Sequence, residues 1–440
     1  MPKDEVRVTG YLPDDTPPFG KMLIFALQQV IVMFPATVLV AIITGFDVGV
    51  TIAASGLATL GFLLITGRRI PLYYGSSFSY IAAVSGVSAM VANATGDKVA
   101  GIRAAQTGII ASGLVSIVAG LLIKKGGPDI VKRILPPSVT GPVAIIIGLS
   151  LASAAMGDAS LNWTIALATL VFTILFSVYL KGTLGQISIL FGVIAGYIVA
   201  LIMGQVDMTP LTTAKLFSVP NFTLPLFDSW GLMAVGAITP VAIATIPEST
   251  AHLLQIDLYV NNLAKRLGRK KDYKIRDLLG ENLVGDGIGD MIAGFIGGPA
   301  GTNYGENNSL MAITRNFSVP VLMAAAIIAI VMGFFGHIAG IVNTIPRAVI
   351  GGVSIYLFGV IGAQGVALMI SEKLDLFSSK NLAIVSTILI IGLGGAAMPN
   401  GMIVLGNLKL PAIATAAIFG IILNLVFEFF PAEKADSHEE

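Results

Sequence analysis

The sequence predicts an all-α polytopic membrane protein of about 14 transmembrane segments, built as a 7+7 inverted repeat. Three observations carry that expectation. Over 440 residues the chain is 55% hydrophobic and only 12% charged, with a mean hydropathy of +0.87; soluble domains hold about twice that share of charge. Its apolar runs have the length needed to cross a bilayer. Once those runs are threaded through a membrane, the basic residues fall almost entirely on one side.

In chain order the runs lie near 22–44, 48–66, 70–91, 101–123, 134–156, 162–180 and 184–203, then near 230–252, 278–298, 303–314, 318–343, 347–371, 381–398 and 410–430. Charge, Gly/Pro or Asn/Asp punctuates each boundary. The third and tenth runs are short and interrupted. With the N-terminus inside and strict alternation, 21 of the 26 Lys and Arg lie on the inner side, leaving Lys98, Arg103, Lys215, Arg347 and Lys409 outside. An odd miscount would scramble that bias, so both termini are expected in the cytoplasm. The densest basic run, LAKRLGRKKDYKIR from Leu263 to Arg276, reads as a solvated inner loop that sets orientation. The segment before Lys21 is polar and proline-rich without a signal-type apolar core, so the first run is expected to direct insertion.

Several classes are excluded early. A net charge of +1 offers no field for nucleic acid. The absence of cysteine removes disulfides, thiol nucleophiles and thiolate metal sites. There is no P-loop, so an ATP-driven pump is not expected. No nucleophile and base converge as in an enzyme, and no metal or other cofactor is expected.

A weak internal echo supports the repeat. Tyr74-Gly75-Ser76-Ser77 resembles Tyr304-Gly305-Glu306-Asn307, and Pro136 to Gly141 resembles Pro346 to Gly351. Both pairs are seven segments apart, and an odd offset places the halves in opposite orientation. Interrupted segments at equivalent places in such halves point to a transporter's binding site. Here they are YYGSSFSY (Tyr73 to Tyr80), which includes Ser77 and Phe78, and GTNYGEN (Gly301 to Asn307).

Two carboxylates, Glu248 and Glu306, lie in these apolar surroundings. An ionisable group at membrane depth costs roughly 2.5–3.5 kcal/mol on insertion scales and defaults to a functional hypothesis. Glu306 follows Gly305, where unwound backbone would leave N–H donors free, and Glu248 would sit opposite. Acids beside backbone donors suit a neutral ligand with N–H groups next to carbonyls, such as an imide or ureide edge. An anion would want Lys or Arg, and none lies inside the apolar runs. His252 is four residues after Glu248 on one helical face, placed to hydrogen-bond it and act as proton partner. Gln28 and Gln29 are expected to face the bundle interior, with one of them a candidate for ligand contact. Asp286 and Asp290 are expected to line a wet cavity or cap helices, with a proton relay as the alternative. Without an ATP module, uphill transport needs an ion gradient, and a buried glutamate is a natural proton carrier.

The chain resembles the nucleobase–ascorbate transporters (uracil/xanthine permeases), and within them the bacterial uracil permeases. The resemblance rests on ALQQVIVMFPATVLVA (Ala26 to Ala41), IPLYYGSSFSYI (Ile70 to Ile81), PESTAH (Pro247 to His252), TNYGENNSLMAITR (Thr302 to Arg315) and IPRAVIGGVSIYLFGVIGAQG (Ile345 to Gly365). It implies short antiparallel strands in segments 3 and 10. It implies a core domain over 22–125 and 230–344 and a gate domain over 126–229 and 345–430, flanked by cytoplasmic segments 1–21 and 431–440. Glu248 and Glu306 would bind the base, with backbone at Phe78 and Gly305, Tyr304 and Ser77 nearby, and His252 supporting Glu248. Gln28, Gln29, Asn307 and Asp286 are candidates to support that shell. The implied activity is uracil import by proton symport across the cell inner membrane, with core moving against gate, as in an elevator, in a homodimer embedded in membrane lipid. Two departures stand out: Gln28-Gln29 replaces a Gln-His, and PESTAH replaces AEHVGH. Glu306 favours uracil, because purine-carrying relatives generally lack it. A xanthine or urate permease is the nearest alternative, and an anion carrier or channel of the same design a distant one.

Overall fold

The computed structural model describes residues 9–127, 133–398, 401–405 and 408–430. The expected tail 431–440 and Lys3, Arg7, Lys132 and Lys434 lie outside the described residues.

The chain is helical nearly throughout. The first half runs α1 (Phe19–Thr44), α2 (Val48–Ile65), strand β1 (Tyr74–Ser76), α3 (Ile81–Thr95), α4 (Lys98–Gly126), α5 (Pro137–Ser150), α6 (Ala152–Ser160), α7 (Trp163–Tyr179) and α8 (Ser188–Ile202). The second half runs α9 (Ser229–Ile238), α10 (Ala242–Arg266), α11 (Leu279–Ile296), strand β2 (Gly301–Asn303), α12 (Gly305–Thr314), α13 (Val319–Gly333), α14 (Gly336–Asn343), α15 (Arg347–Ser371), α16 (Ser379–Ala396), strands β3 (Met402–Leu405) and β4 (Leu408–Pro411), and α17 (Ala412–Phe429). Among the described residues, eight helices are long and apolar enough to cross a membrane, or up to ten if each bent pair counts as one span. α7 and α8 are shorter apolar helices.

Local chemistry explains the breaks. Asp47, Asp97 and Asp228 accept backbone N–H groups at the starts of α2, α4 and α9, the usual role of a short acceptor at a helix start. The eighth expected run is not one straight helix. It bends by 44° around Thr239-Pro240-Val241, where proline removes a backbone donor. The eleventh turns by 73° after Gly333. α10 also runs on to Arg266, so Lys265 and Arg266 extend a helix rather than open a loop. The hairpin β3–β4 had no sequence expectation.

β1 and β2 pair antiparallel, with Tyr74 opposite Asn303, Gly75 opposite Thr302 and Ser76 opposite Gly301. The ribbon extends at both ends: Tyr304 N–H donates to the Tyr73 carbonyl and Ser77 N–H to that of Ala300, each at 2.9 Å. The strands expected in segments 3 and 10 are therefore present, and they meet.

Helices pack closely where glycine permits. α4 lies along α11, where a Cβ on Gly287 would come within 2.3 Å of the Gly113 carbonyl. α5 lies along α15, where a Cβ on Gly365 would meet the Gly141 carbonyl at 2.5 Å. Small residues at such crossings let backbones approach, the main source of helix association in lipid. The largest apolar cluster joins α1, α2, α10, α11, α12 and α13, while a separate one joins α5, α16 and α17. At the N-terminal end, residues 11–15 strap two loops together. Tyr11 exchanges backbone bonds with Arg315 and Phe317 between α12 and α13, while Asp15 and Asp14 pair with Arg269 and Lys271 beyond α10.

Candidate functional site

The strand crossing ends in a cavity of about 720 Å³. From β1 the chain supplies Ser76 to Ser79, and from β2 it supplies Thr302 to Glu306. α10 contributes Glu248 and His252, while Thr140 of α5, Ser188 of α8, and Tyr356 and Gln364 of α15 form the opposite wall. Among the described residues, no Lys or Arg lines it. Two glutamates therefore face a space in which no described Lys or Arg neutralises them.

Glu248 accepts a hydrogen bond from Ser79 Oγ at 3.4 Å. Glu306 sits in the first turn of α12, the end at which a helix leaves N–H groups unpaired and carries its positive dipole. On the β1 side, Ser77 Oγ caps the short turn Phe78–Tyr80 by accepting from Ser79 N–H. Tyr304 is fixed by two bonds: its hydroxyl donates to the Ser76 carbonyl at 3.0 Å and lies 3.0 Å from Thr37 Oγ1. Gly75 makes room for that ring, since a Cβ there would lie 2.4 Å from Tyr304 Cζ.

The structure gathers most expected site residues: Glu248, Glu306, His252, Tyr304, Gly305, Phe78 and Ser77 all line the one cavity. Others need correction. His252 forms no hydrogen bond with Glu248 among the described residues. Its Nε2 instead lies against Gly305, where a Cβ would come within 2.9 Å, and its Nδ1 is buried without a partner. The four-residue spacing put both on one face; packing against the start of α12 turned the ring away. Gln28 does not line the cavity, and its Oε1 is buried and unpaired. Gln29 is also behind the wall, where its side-chain carbonyl and backbone carbonyl both receive the Asn307 amide, at 2.7 and 3.0 Å. Asn307 is thus a brace rather than a lining group. Asp286 and Asp290 neither line the cavity nor cap a helix. Both are buried in α11, with Asp286 accepting from Ser249 Oγ and Asp290 from Tyr74 and Gly301.

Sequence reasoning did not single out Ser79, Tyr356 or Gln364. Ser79 lay inside the broken motif, and Tyr356 and Gln364 inside the IPRAVIGG stretch, so the signal was present for all three. A second cavity of about 560 Å³, between α1, α8 and α15, is lined almost wholly by apolar side chains and converges no polar groups.

The His252 contact yields an expectation. His252→Ala would leave a void beside Gly305 and loosen the start of α12, raising the KM for transport several-fold with a smaller change in maximal rate. Unchanged transport across pH 5–8 would reduce the residue to filler.

Broken segments crossing over an acidic cavity, in a chain of apolar helices, define a multi-pass membrane transporter. The chain belongs to a known family of them: residues 20–401 match the model described as Permease family (Xan_ur_permease). It is 39% identical to a protein named uracil permease from Bacillus caldolyticus, over 97% of this chain and 96% of that protein. It is 38% identical to the uracil permease of Bacillus subtilis (strain 168), over 97% of each. Among solved structures it is similar to the murine anion transporter Slc26a9 in an inward-facing state, with a TM-score of 0.66 over 95% of this chain and 69% of that one. At 11% identity that likeness speaks to fold alone.

Proposed function

We propose that this protein is a nucleobase permease that imports uracil by proton symport. The observation that carries the reading is the pairing of Glu248 and Glu306 with the helix start at Gly305 in one cavity that no described Lys or Arg lines. A carboxylate accepts the N–H groups of an imide edge, and unpaired backbone donors receive its carbonyls. Charge-assisted bonds of this kind are roughly twice as strong as neutral ones. The names of the relatives in the two Bacillus species support the same substrate. An anion would meet two carboxylates and no cation, which weighs against the anion-carrier reading.

The rest of the mechanism builds on that placement. One of the two glutamates exchanges the coupled proton. The count of 14 spans and the homodimer belong to the same proposal. The helices of the α4–α11 and α5–α15 groups act as core and gate, with the site between them moving as the core slides. The basic residues orient the chain with both termini inside a cytoplasmic membrane.

Purified protein in liposomes, given labelled uracil with and without an inward acid gradient, tests this. Saturable, gradient-driven uptake competed by uracil analogues is the expected result. Uptake of xanthine or urate in its place would move the chain to purines, and gradient-independent, non-saturating flux would make it a channel.

A further inference from the structure

Asp290 lies outside the cavity, 2% exposed, yet one of its oxygens holds both strands of the site. Oδ1 accepts from the Tyr74 hydroxyl at 2.5 Å and from the Gly301 backbone N–H at 2.8 Å. Tyr74 belongs to β1 and Gly301 to β2, at opposite ends of the three-residue register. A ribbon that short has little stability of its own. Each strand leads directly into the site: Ser77 and Phe78 come after β1, and Tyr304 to Glu306 after β2.

The surroundings leave Tyr74 one place to be. Its ring fits only because Gly289 and Gly301 lack side chains; added Cβ atoms would approach it to 2.7 and 2.4 Å. Its backbone is tied to α2, with its N–H donating to Thr59 Oγ1 at 3.1 Å and its carbonyl accepting from Ser55 and Thr59 hydroxyls, each at 2.9 Å. Thus β1 and β2 meet at a single carboxylate oxygen of α11, while α2 holds the backbone of the Tyr74 that reaches it. Buried donors without an acceptor are costly, so the Tyr74 hydroxyl and the Gly301 N–H both depend on it.

From this geometry we propose that Asp290 is a positioning residue, which sets substrate affinity by locking the β1–β2 crossing and with it the backbone at Phe78 and Gly305. This rests on the reading of the cavity as the substrate site. Asp290 touches no substrate, and an acceptor oxygen, rather than a charge, is what the lock requires.

The test combines backbone hydrogen exchange with uracil binding on the purified full-length chain, for wild type, Asp290→Ala, Asp290→Asn and Tyr74→Phe. Asp290→Ala is expected to speed exchange in segments 74–80 and 301–306 selectively and to weaken uracil binding about tenfold or more, the scale of a buried donor left without its acceptor. Asp290→Asn keeps a carbonyl oxygen and should restore most of both. Tyr74→Phe removes one donor and should loosen mainly 74–80; it decides the matter if Asp290→Ala does not fold. Unchanged local exchange and affinity, or exchange raised equally in all helices, would overturn the proposal. If wild type binds no uracil, the substrate reading falls, while selective loosening at the two segments still upholds the lock.

Discussion

Glu306→Gln is expected to abolish proton-driven uracil accumulation while leaving the protein in the membrane. The substitution preserves shape and adds an N–H₂ group, so packing in the first turn of α12 changes little. What it removes is an acceptor of imide N–H groups and a group able to exchange a proton. Hydrogen bonds to charged groups are worth about 1.5–3 kcal/mol, so binding alone should weaken by roughly ten- to a hundredfold. The new amide also points donors at donors, which adds to the loss. Uptake in liposomes under an acid gradient measures the effect, with uracil exchange at equal pH as the companion. Wild-type accumulation by the variant would remove Glu306 from its assigned role. Loss of accumulation with exchange retained would assign the coupled proton to Glu306.

Gly75→Ala should have an effect of similar size by steric means. The added methyl would lie 2.4 Å from the Tyr304 ring, which is buried and tied by its hydroxyl to Ser76 and Thr37. The ring has no free direction except into the cavity, and the alternative is to part Gly75 from Thr302 across the ribbon. Overpacking of this kind costs about 1–3 kcal/mol. Uracil affinity should fall about tenfold or more, with a lower melting temperature. Gly86→Ala is the control, because a Cβ there meets nothing within 4 Å. Equal behaviour of the two variants would mean that the crossing tolerates expansion and does not shape the site.

Much of this is legible in the chain alone. Apolar runs and basic loops are one-dimensional signals, since the bilayer penalises charge by depth wherever a segment folds. Glu248 and Glu306 stand out for that reason, and both line the cavity. The broken motifs at Tyr74 and Tyr304 are readable because Gly and small polar residues interrupt otherwise apolar helices. The helix bends at Thr239 and Gly333 do not show in hydropathy, because Pro240 and Gly333 leave their runs apolar and unbroken in length.

The sequence by itself determined that this chain lives in a membrane, that it is built of apolar helices, and which two carboxylates are out of place there. Only the tertiary structure decided partners. His252 turned from Glu248 to Gly305, Gln29 became a brace for Asn307, and Asp290 became the acceptor that joins two strands. The physical reason is that burial cost depends on residue type and depth, which the chain records directly. Which donor meets which acceptor depends on side-chain direction and close packing among segments up to 278 residues apart, which nothing local in the chain encodes.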